Sequence, residues 1–377
     1  MKRNFLLLAV IAMLSACGKP APKPSQWSQT GFALSFFANV NAVSQSGENV
    51  VVSPYSAGVV LSMLEDGAEG QTKVELDNAL NGAVFGKEDL GDGKDVVVQS
   101  SNSVWISDNF SVRNRYVNIL EKDYDAFVTT ENFADPAAVH VINNWCSEHT
   151  SGKITEIIDR ISPGMVMMLV NALYFNAPWE NAFNKDAIRQ MTFRGQSGNT
   201  DVQMMYRKAK FNYAEYQGAK MIEIPYKGSQ YAMYVILPPQ GMSPDAVLPY
   251  IGESQYKSAM SMLQMKDVAL NMPKFKVETS MVLNKALERM GVSTAFTSAA
   301  DFRGISVSGP LCVDLVKQKC YIDVSEQGTE AAAVTSAQIR TTAARPGLTM
   351  TVDRPFIFVI ADVEDKDILF AGKIVNI

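Results

Sequence analysis

Apolar residues recur at helical spacing through Trp27–Val43, where Phe32, Phe36, Phe37 and Val40 fall on one face. Two further helices are expected over Tyr55–Asp66 and Thr72–Leu80, with Ser53-Pro54 opening the first of them. Val96–Ile106 alternates as a strand does, and Pro136–Ser151 reads as a helix. Val166–Phe175 is a continuous apolar run, the pattern of a strand covered on both faces. From Met221 onward strands take over: Met221–Pro225, Tyr231–Leu237, Val268–Lys276 and Phe356–Ile360. One helical stretch, Ser280–Met290, interrupts them and stops at Gly291. Helices early and strands late predict an α+β fold rather than alternating βαβ units.

The first residues follow a different logic. Lys2 and Arg3 precede the apolar run Phe5–Leu14, and Leu14-Ser15-Ala16-Cys17 follows. A basic start, a short apolar stretch and small residues before a cut site read as an export signal over residues 1–16. The run is too short to span a bilayer, which takes roughly 20 residues. Leu-Ser-Ala-Cys resembles a bacterial lipobox, which implies cleavage before Cys17 and lipidation of its thiol. Residues 17–26 then form a Pro/Lys-rich extended tether to the membrane. Gly18, rather than Asp, follows the cysteine, so an outer-membrane location is expected.

Composition narrows the function classes. At 47% hydrophobic and 19% charged, with no internal repeat or long linker after Trp27, the chain has ordinary globular composition, and its length suits either two domains or one large one. A net charge of −5 argues against a nucleic-acid partner, and removing residues 1–16 takes away Lys2 and Arg3 and no acid, moving it to −7. The two histidines, His140 and His149, do not have one-face metal spacing, and neither a metal nor a cofactor is expected. Gly195-Gln196-Ser197-Gly198 lacks the spacing of a nucleophile elbow, and no phosphate-binding glycine loop occurs, so an enzyme is not expected. Cys146, Cys312 and Cys320 form no CxxC and are expected to be buried small hydrophobes, with pairing of Cys312 and Cys320 left open.

The most informative stretch is Glu326–Arg354. Small residues dominate it, although a strand-like run (Cys320–Val324) precedes it and a strong strand follows. Structureless connections of about 20 residues are uncommon and usually functional or disordered. Read with period two, one face carries Thr329, Ala331, Ala333, Thr335, Ala337 and Ile339, with no charge. The other carries Glu330, Ala332, Val334, Ser336, Gln338 and Arg340, and is expected to face water. A flexible linker and a strand that inserts elsewhere are both compatible with this pattern.

Glu326-Gln327-Gly328-Thr329-Glu330-Ala331-Ala332-Ala333 resembles the hinge of the reactive-centre loop of serpins. The likeness continues in order along the chain. Asn49–Ser56 resembles the family's shutter, and Asn171–Phe175 with Trp179–Phe183 its third central strand and breach. Pro273-Lys274-Phe275, Asp301–Ile305, Asp353–Phe356 and Phe370–Lys373 fall in the expected order. The resemblance spans Trp27–Ile377.

It implies a serpin fold as a single domain over residues 27–377, expected to be a monomer: a large central mixed sheet, two smaller sheets, about eight or nine helices and an exposed loop over residues 326–354. It also implies inhibition of serine proteases by suicide: the loop is cut, an acyl-enzyme forms, and the loop enters the central sheet as an extra strand. Glu326, Gly328, Thr329, Glu330, Ala331, Ala332 and Ala333 would be the hinge. Family spacing from Gly328 places Thr342 before the cut bond and Ala343 after it, which suits elastase-like proteases. A bond between Arg340 and Thr341 is the alternative and suits trypsin-like proteases; a cysteine protease would also accept the loop. Arg345 is disfavoured because Pro346 follows. Ser53, Ser56 and Asn171 match shutter positions, Trp179 the breach, and Gln318 stands where the family usually has His. A serpin-fold surface lipoprotein without inhibitory activity is the competing reading.

Overall fold

The computed structural model describes residues 29–86, 90, 96–330 and 347–377. The chain starts with α1 (Gln29–Val43), whose Phe32, Phe36, Phe37 and Val40 are all buried, and continues through β1 (Val50–Val52) into α2 (Pro54–Gly67) and α3 (Gly70–Leu80). The Ser53 hydroxyl caps α2 by accepting from the Ser56 amide at 3.1 Å, and Pro54 occupies the first turn. Next come β2 (Val97–Ser107), α4 (Asn114–Asp123), β3 (Phe127–Glu131), α5 (Ala137–Glu148) and β4 (Met167–Pro178). Four strands follow: β5 (Arg189–Gly195), β6 (Gly198–Tyr216), β7 (Ala219–Pro225) and β8 (Tyr231–Leu237). Two helices, α6 (Pro244–Val247) and α7 (Glu253–Ser261), lead to β9 (Gln264–Pro273) and β10 (Phe275–Val282). The last third holds α8 (Asn284–Arg289), β11 (Leu315–Val324), β12 (Gly328–Thr329), β13 (Leu348–Thr351), β14 (Phe356–Asp362) and β15 (Ile368–Ile374). Eight α-helices among the described residues agree with the expected α+β architecture.

One sheet runs β10-β11-β12-β4-β2-β3 and is mixed, with β11 parallel to β4 and β2 parallel to β3. β4 lies between two apolar layers, which explains its unbroken hydrophobic run. Its Met167, Leu169, Leu173 and Phe175 join the main core. The alternate residues Met168, Val170 and Ala172 pack with Ile142, Trp145 and Cys146 of α5. The other strands form a nine-stranded sheet along β1-β15-β14-β8-β7-β6-β9-β13, with β5 attached to β6. The two smaller sheets expected from the resemblance are thus hydrogen-bonded into one path, because the 19-residue β6 spans both.

Two expected elements are corrected. Val268–Lys276 is not one strand: the chain turns at Lys274, whose amide donates to Gln203 O at 2.9 Å, and β9 and β10 belong to different sheets. Ser280–Met290 is not one helix, since Ser280–Val282 completes β10 by pairing with Lys319–Lys317. The three cysteines among the described residues are free; Cys146 and Cys320 are buried as expected, whereas Cys312 is half-buried. The export signal, Cys17 and its tether lie outside the described residues.

Candidate functional site

The pairing register places Asn102, Asn171 and Gln318 in one row across the centre of the mixed sheet, opposite one another on β2, β4 and β11. All three are buried. The Asn171 amide donates to Asn102 Oδ1 at 2.6 Å, and the Gln318 amide lies 3.4 Å from Asn171 Oδ1. Gln318 also clamps the backbone of Ser53 beneath the sheet. Its Oε1 accepts from the Ser53 amide and its Nε2 donates to Ser53 O, both at 2.9 Å. A neutral amide supplies donor and acceptor at once, so β11, β4 and the start of α2 are tied together without a titratable group. Ser56 is adjacent, but its contribution is its backbone amide to the Ser53 cap rather than its hydroxyl. Sequence reasoning missed Asn102; the polar run Gln99–Ser103 inside a strand of the buried sheet was the available signal.

At the upper end of the same sheet, the chain reverses after β11 through Ser325-Glu326-Gln327 and returns as β12. The Ser325 amide closes this turn on Gly328 O at 2.9 Å. Gly328 has φ +154°, and a Cβ there would lie 2.2 Å from Ala177 O, so only glycine passes between the two strands. β12 pairs with Val324 of β11 on one side and with Ala177 and Pro178 of β4 on the other. Thr329 is buried, and its hydroxyl lies 2.6 Å from that of Tyr226. Trp179 stacks on Tyr226 with ring centroids 4.6 Å apart. Its indole donates to Ser325 O and its backbone amide to Gln327 O, both at 2.9 Å. Trp179 therefore holds the reversal by both ends of the residue.

Glu326 sits on this turn with 13% of its side chain exposed, 2.5 Å from Lys274 Nζ and 4.0 Å from Lys185 Nζ. Burial pushes its carboxyl up, but Lys274 outweighs this and holds it below the usual carboxylate range. Lys274 is available because it occupies the corner between β9 and β10. Glu330 departs from expectation. The alternation put it in water, yet 3% of its side chain is exposed and its carboxylate lies 2.8 Å from Lys153 Nζ. Tyr226 and Lys153 were likewise not singled out, because both reach the hinge from segments distant in sequence.

Below the hinge the sheet is closed. β4 and β11 pair directly and in parallel from Met168 and Leu315 to Leu173 and Cys320, with no strand between them. Ala331, Ala332, Ala333, Arg340, Thr341, Thr342 and Ala343 lie outside the described residues.

A family model described as "Serpin (serine protease inhibitor)" matches residues 28–377. An uncharacterised serpin-like protein of Methanosarcina acetivorans is 34% identical, with 88% of this chain and 82% of that protein covered. Serine protease inhibitor 2 of Anopheles gambiae is 30% identical over 100% of this chain and 99% of its own. The crystal structure of the thermophilic serpin tengpin in its native state superposes with a TM-score of 0.87 at 28% identity, covering 93% of both chains. A buried polar row across a mixed sheet, the short β12 seated between β4 and β11 at one end of it, and matches along nearly the whole folded chain agree: the chain belongs to the serpin family of serine protease inhibitors.

Proposed function

We propose that this protein inhibits serine proteases by suicide, using the loop that follows Glu330. The observation that carries this reading is the closed β4–β11 pairing directly below a hinge that already occupies the space between those strands. At one end β4 and β11 are already parted around β12, and beneath it they pair directly. In the proposed reaction the protease serine attacks the Thr342 carbonyl, the Ala343 amine leaves, and Thr342 is held as an ester. Insertion of the freed strand then competes with attack of water on that ester. The inserting stretch is small and apolar on its inner face, with Ala331 and Ala333 following Thr329, so little bulk opposes entry. About 15 residues at roughly 3.3 Å each carry the bound protease on the order of 50 Å. Thr342 fits the shallow primary pocket of elastase-like proteases.

The chain is further proposed to be exported and attached to the outer membrane through lipid on Cys17, with residues 18–26 as its tether. Replacing Cys17 with Ser should release the folded domain from membranes into the soluble fraction; retention on membranes would contradict the anchor.

The inhibitory reading is tested by incubating residues 27–377 with an elastase-type and a trypsin-type serine protease, followed by denaturing gels and mass spectrometry. A covalent complex cut after Thr342 is expected. A trypsin complex cut after Arg340 would overturn the specificity and keep the mechanism. Cleavage without a complex would sink the inhibitory reading and favour a non-inhibitory surface lipoprotein.

A further inference from the structure

Glu330 is the last described residue before the loop, and its surroundings are unlike those of a solvent-facing strand residue. Its amide donates to Asp323 O at 2.8 Å, which continues the hinge pairing one residue beyond β12. Its φ is +55°, a left-handed conformation that non-glycine residues adopt at a cost. The chain therefore stops being a strand at this residue. The carboxylate is nearly enclosed, on the face of the sheet opposite Thr329. Burial, followed by the nearby Glu330 carboxylate, pushes the Tyr174 hydroxyl of β4 up to about 12, and neither carboxylate oxygen of Glu330 has a hydrogen-bond donor among the described residues. Lys153 Nζ contacts it at 2.8 Å and also lies 5.6 Å above the Tyr321 ring of β11. Lys276 Nζ sits 5.0 Å from the same ring centroid, on β10. Lys153 does not belong to the sheet. It stands in the connection after α5, following the left-handed residues Ser151 and Gly152.

We infer that Lys153 is a positioning residue for inhibition: its pair with Glu330 keeps Gly328–Glu330 seated between β4 and β11, so that loop insertion starts from a register already formed. The reason is electrostatic. A carboxylate so nearly enclosed, with no hydrogen-bond donor to meet it, is retained there only while the Lys153 countercharge faces it. Without Lys153 the carboxylate moves to water and draws Thr329 away from Tyr226. β4 and β11 are then free to extend their direct pairing upward. A loop cut in that state must first reopen the sheet, and hydrolysis of the acyl-enzyme gains the time this takes. The kinetic consequence rests on the inhibitory reading above; the seating of the hinge does not.

The test uses the whole folded chain as wild type, Lys153→Ala, Lys153→Arg and Glu330→Gln. Amide hydrogen exchange of residues 326–330 is expected to be about tenfold faster in Lys153→Ala and Glu330→Gln, and close to wild type in Lys153→Arg. With the protease that wild type traps, the two loosened variants are expected to need several-fold more inhibitor per protease inactivated, at an unchanged association rate constant. Rescue by Lys153→Arg separates positioning from a general structural defect, and Glu330→Gln decides the question should Lys153→Ala not fold. Hinge exchange equal to wild type in folded Lys153→Ala or Glu330→Gln would overturn the seating. Faster exchange with unchanged stoichiometry would overturn the kinetic role. If wild type traps no protease, the inhibitory reading falls, and exchange alone decides whether Lys153 seats the hinge.

Discussion

Replacing Gln318 with Leu tests whether the shutter row holds the closed sheet. Gln318 is 2% exposed, and its amide satisfies both backbone groups of Ser53 at 2.9 Å and reaches Asn171 at 3.4 Å. Leucine fills a similar volume but leaves the Ser53 N–H and Asn171 Oδ1 buried without these partners, whereas Ser53 O keeps the bond from the Ala57 amide at 3.1 Å. Each orphaned group costs about 1–3 kcal/mol, whereas removing the buried side-chain amide returns part of its own desolvation cost. The net loss is roughly 2–4 kcal/mol. For a domain of this size that corresponds to a fall in melting temperature on the order of 3–6 °C. Circular-dichroism melts and urea titrations of the intact protein, uncut and scanned at one rate, provide the assay. Because β4 and β11 are joined through this residue, their amides should also exchange faster than those of β14, which lies in the other sheet. A melting temperature unchanged within about 1 °C would refute the reasoning, since it would show that the Ser53 N–H and Asn171 Oδ1 need no partner from this side chain.

Glu326→Lys sets an ammonium against Lys274 and Lys185 where a carboxylate now bridges them; a loss of roughly 2 kcal/mol and faster hinge exchange are expected, read by thermal melts and exchange. Gly328→Ala forces a Cβ into Ala177 O; it should unseat β12 at a cost on the order of 1–3 kcal/mol and shift cleaved loop from complex toward plain substrate on denaturing gels. Glu75 provides a pH test. Its carboxylate accepts from the Ser293 and Thr294 amides at 2.8 and 2.7 Å and from the Thr294 hydroxyl at 2.6 Å. Burial opposes ionisation, but these bonds win and hold it at about 2, against an ordinary value of 4.5. A carboxyl lowered by folding stabilises above its unfolded value, so the melting-temperature gap between wild type and Glu75→Gln should be full above pH 4.5 and shrink as pH falls toward 2. A gap independent of pH would contradict this.

Some of this architecture could be read from local pattern and some could not. β4, β8 and β14 are continuous apolar runs buried on both faces, so their existence and type followed from hydrophobicity alone. β6 escaped because Gly198–Tyr216 mixes Met and Tyr with Lys, Arg and Asp at irregular spacing along a half-exposed strand. Its turn was nevertheless present in Gly195-Gln196-Ser197-Gly198, where Gly195 pairs with Gly198. The β9–β10 break was hidden because Pro273-Lys274-Phe275 changes sheets without any loop. For the site, Ser53, Asn171, Gln318 and Trp179 were found through their resemblance to family motifs. Asn102, Tyr226 and Lys153 act through contacts that only the tertiary structure brings together. Period-two reading set Glu330 apart from Thr329 but placed it in water, and gave no sign of the lysine of the α5–β4 connection that pairs with it.

The central claim is that the closed sheet accepts the loop once it is cut. The most direct measurement is the melting temperature of intact protein against the same protein nicked in the loop between Ala331 and Pro346, with both fragments retained. The account predicts that the nicked form melts far higher and that β4 and β11 exchange more slowly, because a new strand separates and pairs with both. Equal melting temperatures with unchanged β4–β11 protection would contradict it.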